Sequence, residues 1–230
     1  MKKLLCLVMA IVMLFSVCGC LGGNYDVEDI RGEITSEVEN PTQSQDSEES
    51  QPEFSLGKTS NNVYTNDFLG LSCTLPSEWN FYTDEQILEL NNITMEYIDE
   101  DVSSQLEKAT IIYDMYAQNT VDNSNVNVNL ERLNPVQAVT LDIKTALEAQ
   151  TDAIISTYQN MGYTDVSVNY ESITVNGKKY DALRIEAKIQ GYDFYGIAFT
   201  FIKNNYLANV TATSLQTDKT NTILNCFTLE

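Results

Sequence analysis

The sequence predicts an α+β domain, an α/β/α sandwich in which helices cover both faces of a mostly antiparallel sheet. Two pairs of strand-like segments are joined by turn residues, Asn-Gly at 176–177 and Asn-Asn at 204–205. Residues 193–203 are apolar on both alternating faces, which is typical of a strand buried on both sides. Because both faces of such a sheet need partners, we expect the helix-like segments after Thr140 and near the end of the chain to cover them.

Residues 1–19 have the pattern of a bacterial lipoprotein signal peptide. Two lysines follow Met1, and the apolar run of residues 4–17 is shorter than the roughly 20 helical residues that span a bilayer. The run ends in VCGC, which is similar to a lipobox, so we expect cleavage before Cys20 and lipidation of that cysteine. The lipid would anchor the protein at the outer face of the bacterial cell membrane. The alternatives are an ordinary secreted protein and an uncleaved membrane anchor.

Residues 20–60 are interpreted as the lipidated cysteine followed by a disordered acidic tether. This segment is rich in Glu, Ser, Gln, Asn and Asp, most clearly in TQSQDSEESQPE at 42–53. It has too few apolar side chains to offset the entropy lost on ordering. A flexible chain of about 40 residues spans roughly 35 Å, which would lift the domain at 61–230 away from the membrane.

The first part of the domain is predicted to contain two strands and a helix. The strands are VYTN and LGLSCTL, and Pro76 ends the second one. The helix follows Thr83, whose side chain can cap it together with Gln86 three residues later. A second, short helix is predicted from Ser103 to Lys108.

Two further strands are predicted at 110–118 and 123–133. In the second, valine and leucine alternate with asparagine, so that one face is apolar and the other is polar. A long helix is then expected from about Thr140, because its apolar positions repeat with a helical period and Gly162 is placed to end it. The positions on this stripe are Ile143, Leu147, Gln150, Ile154, Tyr158 and Met161.

The last part of the domain is predicted to contain four strands and a closing helix. The strands are the two hairpins at 164–189 and 193–214, and the helix extends from Asp218 to Phe227. Ile223, Leu224 and Phe227 would be the apolar face of that helix.

The stretch YTNDFLGLSCTLPSEWNFYTDEQI resembles the opening of bacterial lipoprotein domains with the fold of PsbP, an extrinsic subunit of photosystem II. In that family a tyrosine and a short turn precede a strand, a TLP-x-x-W corner and a helix, and the later order of elements is also similar. The resemblance covers about residues 61–230 and implies the α/β/α sandwich. It implies no activity, because the fold hosts unrelated functions. None of the PsbP metal ligands can be matched to a residue here.

The composition excludes several classes of function. The net charge is −20, and a strongly acidic surface repels phosphate backbones, so we expect no nucleic-acid partner. The chain contains no histidine, which excludes nucleophiles activated by histidine and metal sites that use it. No catalytic residue and no cofactor is predicted.

Two groups of residues are weaker site candidates. Glu96, Asp99, Glu100 and Asp101 form the densest group of carboxylates and could offer oxygen ligands to Ca²⁺. Their spacing does not match an EF-hand loop, so a solvated acidic turn is favoured and no metal site is predicted.

Cys73 and Cys226 are the other candidates, because they are the two thiols left after removal of the signal peptide and lipidation of Cys20. An even pair in an exported domain predicts a disulfide bond. The alternative is two buried free thiols that behave as small apolar side chains.

Three functions fit these features. We expect a non-catalytic domain that binds or supports another envelope component, with the membrane engaged through the lipid anchor. The alternatives are a carboxylate-based hydrolase of cell-surface glycans and a cation-responsive assembly factor. An enzyme should show convergent carboxylates with a shifted pKa in a deep cleft, whereas a binding module should show an exposed flat or apolar patch.

Overall fold

The computed structural model describes residues 54–91, 109 and 111–230. Within these residues the chain forms eleven strands and four helices. The strands are β1 (Lys58–Ser60), β2 (Val63–Asn66), β3 (Leu71–Thr74), β4 (Trp79–Phe81), β5 (Ile111–Asn119), β6 (Asn125–Arg132), β7 (Thr164–Val175), β8 (Lys178–Ile189), β9 (Tyr192–Lys203), β10 (Tyr206–Leu215) and β11 (Phe227–Leu229). The helices are α1 (Asp84–Leu90), α2 (Pro135–Thr140), α3 (Ile143–Asn160) and α4 (Thr220–Leu224).

The strands form two antiparallel sheets. The large sheet has seven strands in the order β4-β5-β6-β10-β9-β8-β7, and the small sheet has four in the order β1-β2-β3-β11. The two predicted hairpins, β7–β8 and β9–β10, turn at the predicted residues, 176–177 and 204–205. In β5 the register shifts between Tyr113 and Met115, so Asp114 is the additional residue of a β-bulge.

The predicted α/β/α sandwich is wrong, because a second sheet and not a layer of helices covers one face of the large sheet. We call this face the inner face. The small sheet packs on it together with the single helical turn α4. Strand β9 is buried on both sides as expected, with Phe199 on the inner face and Ala198 on the other. That pattern indicates cover on both faces but does not distinguish a helix from a second sheet as the cover.

The core between the two sheets is built from alternating apolar residues of both. Tyr64 and Phe227 of the small sheet are fully buried and pack in one cluster with Val128, Phe199 and Val210 of the large sheet. The small sheet combines strands from the two ends of the described domain. Its pairing of β3 with β11 therefore has no local signal in the sequence.

Helices lie on the opposite, outer face of the large sheet. Helix α3 packs on β7 and β8, where Leu147, Ile154 and Tyr158 join Leu183 and Phe194 in a second core cluster. Helix α1 packs on β5 at the other side of the sheet. None of the helices in the described residues has the length and apolar character needed to cross a membrane.

Most individual elements lie where the sequence predicts them. Thr83 and Gln86 form the expected capping box of α1. The buried positions of α3 include Leu147, Ile154 and Tyr158 of the predicted stripe, and Gly162 follows the helix with φ of 91°. Positive φ at this point is typical of a glycine that ends a helix.

Three local features differ from the prediction. The closing segment is a short helix, α4, followed by strand β11, and α2 is an additional helix with a capping box of Asn134 and Gln137. Residues 54–60, assigned to the tether, belong to the folded part, since they include β1 and the ring of Phe54 stacks on Tyr206. The predicted helix from Ser103 to Lys108 lies outside the described residues.

Candidate binding cleft

An uncharged cleft of about 760 Å³ lies where the edges of the two sheets meet. None of the described side chains that line it is a carboxylate, an amine or a guanidinium, although the net charge of the chain is −20. We call it the neutral cleft. Its lining residues are Thr59, Ser60, Asn61, Asn62, Trp79, Asn80, Phe81, Tyr82, Gln86, Gln118, Asn119, Thr120 and Asn123.

The corner at Pro76–Phe81 forms one wall of the neutral cleft. The N–H group of Trp79 donates to the carbonyl of Pro76 at 3.1 Å, which closes a turn and starts β4. The indole of Trp79 is buried in the core, so it anchors the corner. Asn80 then points to the opposite face of β4 and is exposed.

Several amides of the neutral cleft are occupied by turns and caps. The Asn62 side chain donates to the carbonyl of Pro76, and the Asn119 side chain accepts from two backbone N–H groups of its own turn. The side-chain amides of Asn80, Gln118 and Asn123 make no hydrogen bond with the described part of the chain. Because each amide both donates and accepts, these three groups can bind a polar ligand.

Aromatic rings add an apolar surface to the neutral cleft. The rings of Phe81 and Tyr82 are half-buried, and the Tyr82 ring lies 4.4 Å from that of Tyr116 between ring centres. Burial raises the pKa of the Tyr82 phenol above its ordinary value of 10.0. The phenol is therefore neutral at physiological pH, and the lining that residues 54–91 and 111–230 contribute to the cleft is uncharged.

A row of polar residues leads from the neutral cleft across the outer face of the large sheet. Asn80 is paired with Gln118, which is paired with Asn125, which in turn is paired with Thr213. The first is exposed, the second half-buried and the last two only 3% exposed. The row joins a buried polar band on β6, β10 and β9, which consists of Asn125, Asn127, Asn129, Thr200, Asn209, Thr211 and Thr213.

Hydrogen bonds connect part of this buried polar band. Thr200 donates to Asn209 at 2.7 Å, and Asn209 donates to Asn129 at 3.2 Å, so the bonds cross three strands. The hydroxyl of Thr211 is buried and has no hydrogen-bond partner among the described residues. The sequence pattern places the asparagines of this band on one face of β6, and the structure shows that this polar face is buried.

The buried carboxylate of Asp114 is a second site-like feature, which sequence reasoning missed. Asp114 accepts hydrogen bonds from the Gly57 N–H group at 2.6 Å, from the Asn66 amide at 2.7 Å and from the Tyr64 hydroxyl. Burial raises the pKa of the Asp114 carboxyl above its ordinary value of 3.8, although these hydrogen bonds act in the opposite direction. An aspartate inside the apolar run IIYDMY was the available signal.

Asp114 lies beside a cavity of about 260 Å³ that Asp84 also lines. A hydrolase of the predicted kind needs two carboxylates that face the scissile bond. Both oxygens of Asp114 are engaged by donors from the protein, and Asp84 is exposed in the first turn of α1. The arrangement can tie three segments together, but it offers no free acid and base pair.

Of the predicted cysteine pair, Cys73 lies on β3 and Cys226 immediately precedes β11. Cys73 is opposite Phe227 in the strand register, and the carbonyl of Cys226 accepts a hydrogen bond from Thr74 at 3.1 Å. Both thiols are free. Burial is the main cause that raises the pKa of the Cys73 thiol, and the nearby thiol of Cys226 raises it further. No bond joins Cys73 and Cys226 in this structure, and the disulfide stays a prediction.

The other predicted site residues cannot be placed. Cys20 and the carboxylates Glu96, Asp99, Glu100 and Asp101 lie outside the described residues. In the part of the chain that the structure describes, no three cysteine, aspartate or glutamate side chains come together as a metal site would require.

Comparison of the sequence with protein families and with curated proteins identifies no relative. No protein-family model matches the chain, and no curated protein matches it significantly.

Proposed function

We propose that this chain is a lipid-anchored, extracytoplasmic binding module without catalytic activity, and that it binds an envelope component in the neutral cleft. The observation that carries the proposal is the uncharged lining of this cleft in a chain with a net charge of −20. Elsewhere the acidic surface keeps the protein soluble and repels anionic polymers. A ligand of the neutral cleft is therefore an uncharged polar molecule or segment.

The chemistry of the lining supports binding more than catalysis. Asn80, Gln118 and Asn123 offer donors and acceptors, and the half-buried rings of Phe81 and Tyr82 offer apolar contact. Among the described residues of the lining, no side chain is suited to act as a general acid or base near neutral pH. The alternative of a glycan hydrolase would depend on Asp84 and Asp114, whose arrangement is described above.

The proposal is tested by binding of the soluble chain to envelope fragments. Residues 20–230 with Cys20→Ser would carry no lipid, so any sedimentation with washed fragments reports binding by the protein itself. Asn80→Arg places a long charged side chain at the neutral cleft, and we expect saturable binding to weaken at least about tenfold. Asn160→Arg is the matched control, because Asn160 is exposed at the end of α3, away from the cleft.

Circular dichroism and thermal unfolding should show that both variants are folded. Equal binding by the two variants would contradict the assignment of the neutral cleft. Saturable release of sugars from the fragments by the unchanged chain would instead support the hydrolase.

A further inference from the structure

Two sheet edges that pair with no further described strand border the neutral cleft. Strand β4 is the first strand of the large sheet, and β1 is the first strand of the small sheet. Thr59 and Ser60 of β1 line the cleft on one side, and β4 lines it on the other. A molecule in the cleft therefore lies beside main-chain groups that no described strand covers.

The pairing of β4 with β5 determines which main-chain groups point into the cleft. The N–H group of Thr120 donates to Glu78, and that of Tyr82 donates to Tyr116. In an antiparallel ladder the hydrogen-bonded positions alternate, so Asn80 also faces β5 while Trp79 and Phe81 face outward. The N–H group of Trp79 already donates to Pro76. The outward groups of β4 are thus the carbonyl of Trp79 and both main-chain groups of Phe81.

Strand β1 presents a similar edge. It joins β2 through a two-residue turn at Asn61 and Asn62, which have φ of 48° and 62°. In such a hairpin Ser60 and Val63 form a hydrogen-bonded pair, so the main-chain groups of Thr59 face away from β2. An extended segment in the neutral cleft could therefore bond to Phe81 on one side and to Thr59 on the other.

The opposite edge of the large sheet is built differently. Strand β7 contains an irregularity between Thr164 and Ser167 and carries the charged residues Asp165 and Glu171. Bulges, charges and short length are means by which an edge strand avoids pairing with another chain. Strand β4, with the sequence WNF, is short but has neither a bulge nor a charge.

We infer that the ligand of the neutral cleft is an extended, uncharged polypeptide segment of a partner protein, bound by addition as a strand beside β4. This inference rests on the proposed function and names its ligand. Main-chain bonds from Phe81 would hold the segment, and the aromatic and amide side chains would select an uncharged sequence. A glycan could contact the same side chains, but it has no donors and acceptors at the spacing of a strand.

The test is a titration of isotope-labelled residues 20–230 with Cys20→Ser. Nuclear magnetic resonance monitors the amide signals of the chain as a peptide is added. The probe is the capped peptide Ac-Thr-Val-Thr-Val-Thr-Val-NH₂. The control peptide has the same sequence with alternate main-chain amides N-methylated. We expect the first peptide to shift the amide signals of Phe81 and Thr59 at millimolar concentration. N-methylation should weaken the effect at least about tenfold, because it removes main-chain donors.

A third probe separates this inference from the proposed function. If the uncharged tetramer of N-acetylglucosamine shifts the cleft signals and the peptide does not, strand addition is overturned while binding in the cleft stands. Equal binding by both peptides would also overturn strand addition. Sedimentation of the chain without a probe measures whether it forms a dimer. A dimer that Asn80→Arg disrupts would show that the β4 edge binds a second copy of this chain, and it would overturn the inference of a partner protein.

Discussion

Asp114 connects three segments around the inner core. As the additional residue of the β5 bulge it points into the core, where Tyr64, Asn66 and Gly57 donate to it. Gly57 has no room for a side chain, because an added Cβ atom would overlap the ring of Tyr64. One carboxylate thus connects the large sheet to β2 and to the segment that precedes β1.

Asp114 should give the domain a measurable pH dependence. Its folded-state pKa is raised by burial above the ordinary value of 3.8, so the folded protein holds this proton to a higher pH than the unfolded chain. The free energy of unfolding should therefore fall as the pH rises through this interval. Asp114→Asn removes the titration, so the stability advantage of the unchanged protein over the variant should shrink from about pH 4 to neutral pH.

Urea unfolding at a series of pH values measures this difference. Asp152→Asn is the matched control, since it makes the same chemical change at an exposed position on α3. If the advantage over Asp114→Asn instead grows with pH, the hydrogen bonds dominate and the pKa of Asp114 is lowered.

At the scale of elements, the buried polar band contains two threonines, Thr211 and Thr200, whose hydroxyls differ in hydrogen bonding. Thr211 is 3% exposed and its hydroxyl has no partner in the described structure, whereas the Thr200 hydroxyl donates to Asn209. Valine has nearly the shape of threonine. We expect Thr211→Val to leave stability unchanged or to raise it by about 1 kcal/mol, and Thr200→Val to lower it by about 1–2 kcal/mol.

Thermal and urea unfolding of the two variants test this prediction, and each serves as the other's control. A clear loss of stability in Thr211→Val would indicate that its hydroxyl is hydrogen-bonded, for example by an ordered water molecule.

The cysteine prediction depends on the pairing of β3 with β11. Cys73 is paired with Phe227, the residue after Cys226, so the two cysteines are one position apart along this pair. A bond between them would close a loop of about 150 residues. In the chain-entropy model such a bond stabilises by about 5 kcal/mol, less any strain. Because burial raises the pKa of Cys73, its thiolate is scarce in the folded domain, and we expect the bond to form during folding.

Thiol titration of the exported Cys20→Ser chain, denatured without reduction, measures the prediction. Cys73 and Cys226 are then the two cysteines left after residue 19, so a bonded protein should give no reactive thiol and a reduced one should give two. Two thiols would rule the bond out. Cys226→Ser should lower the stability of a bonded protein and leave that of a reduced protein almost unchanged.

The sequence predicts elements well wherever their signals are local. The capping box at Thr83, the stripe of α3 and the turn at 176–177 depend on residues within a few positions, and each is confirmed. The layer arrangement is not local, because β11 reaches β3 across most of the domain. The short length of α4 also depends on tertiary context, since Phe227 pairs with Cys73 and no longer continues the helix.

The candidate site could be predicted only in part. The corner at Trp79 and the cap at Gln86 come from readable motifs, and both line the neutral cleft. Thr59 was assigned to the tether, so one wall of the cleft could not be expected from the sequence. The approach of the β1 edge to the β4 edge results from the packing of two sheets, for which the sequence has no pattern.

At the scale of the whole molecule, the proposed anchor at Cys20 decides where the domain acts. The VCGC motif predicts that the mature chain begins with this cysteine and that it carries a lipid. Mass spectrometry of the mature N-terminus should find a diacylglyceryl cysteine, and the protein should partition into detergent. Cys20→Ala should abolish both properties and leave the fold unchanged. Lipid still attached to the Cys20→Ala chain would contradict the prediction.

The position of β11 has a consequence for how the molecule is made. Synthesis is vectorial, and the small sheet cannot be completed until Phe227–Leu229 has left the ribosome and can reach β3. Until that moment the inner core lacks the ring of Phe227, and the part of the inner face that β11 covers is open to solvent or to a chaperone. If the chain is exported, as proposed, it stays incompletely folded and fit for threading across the membrane until its last strand has been made.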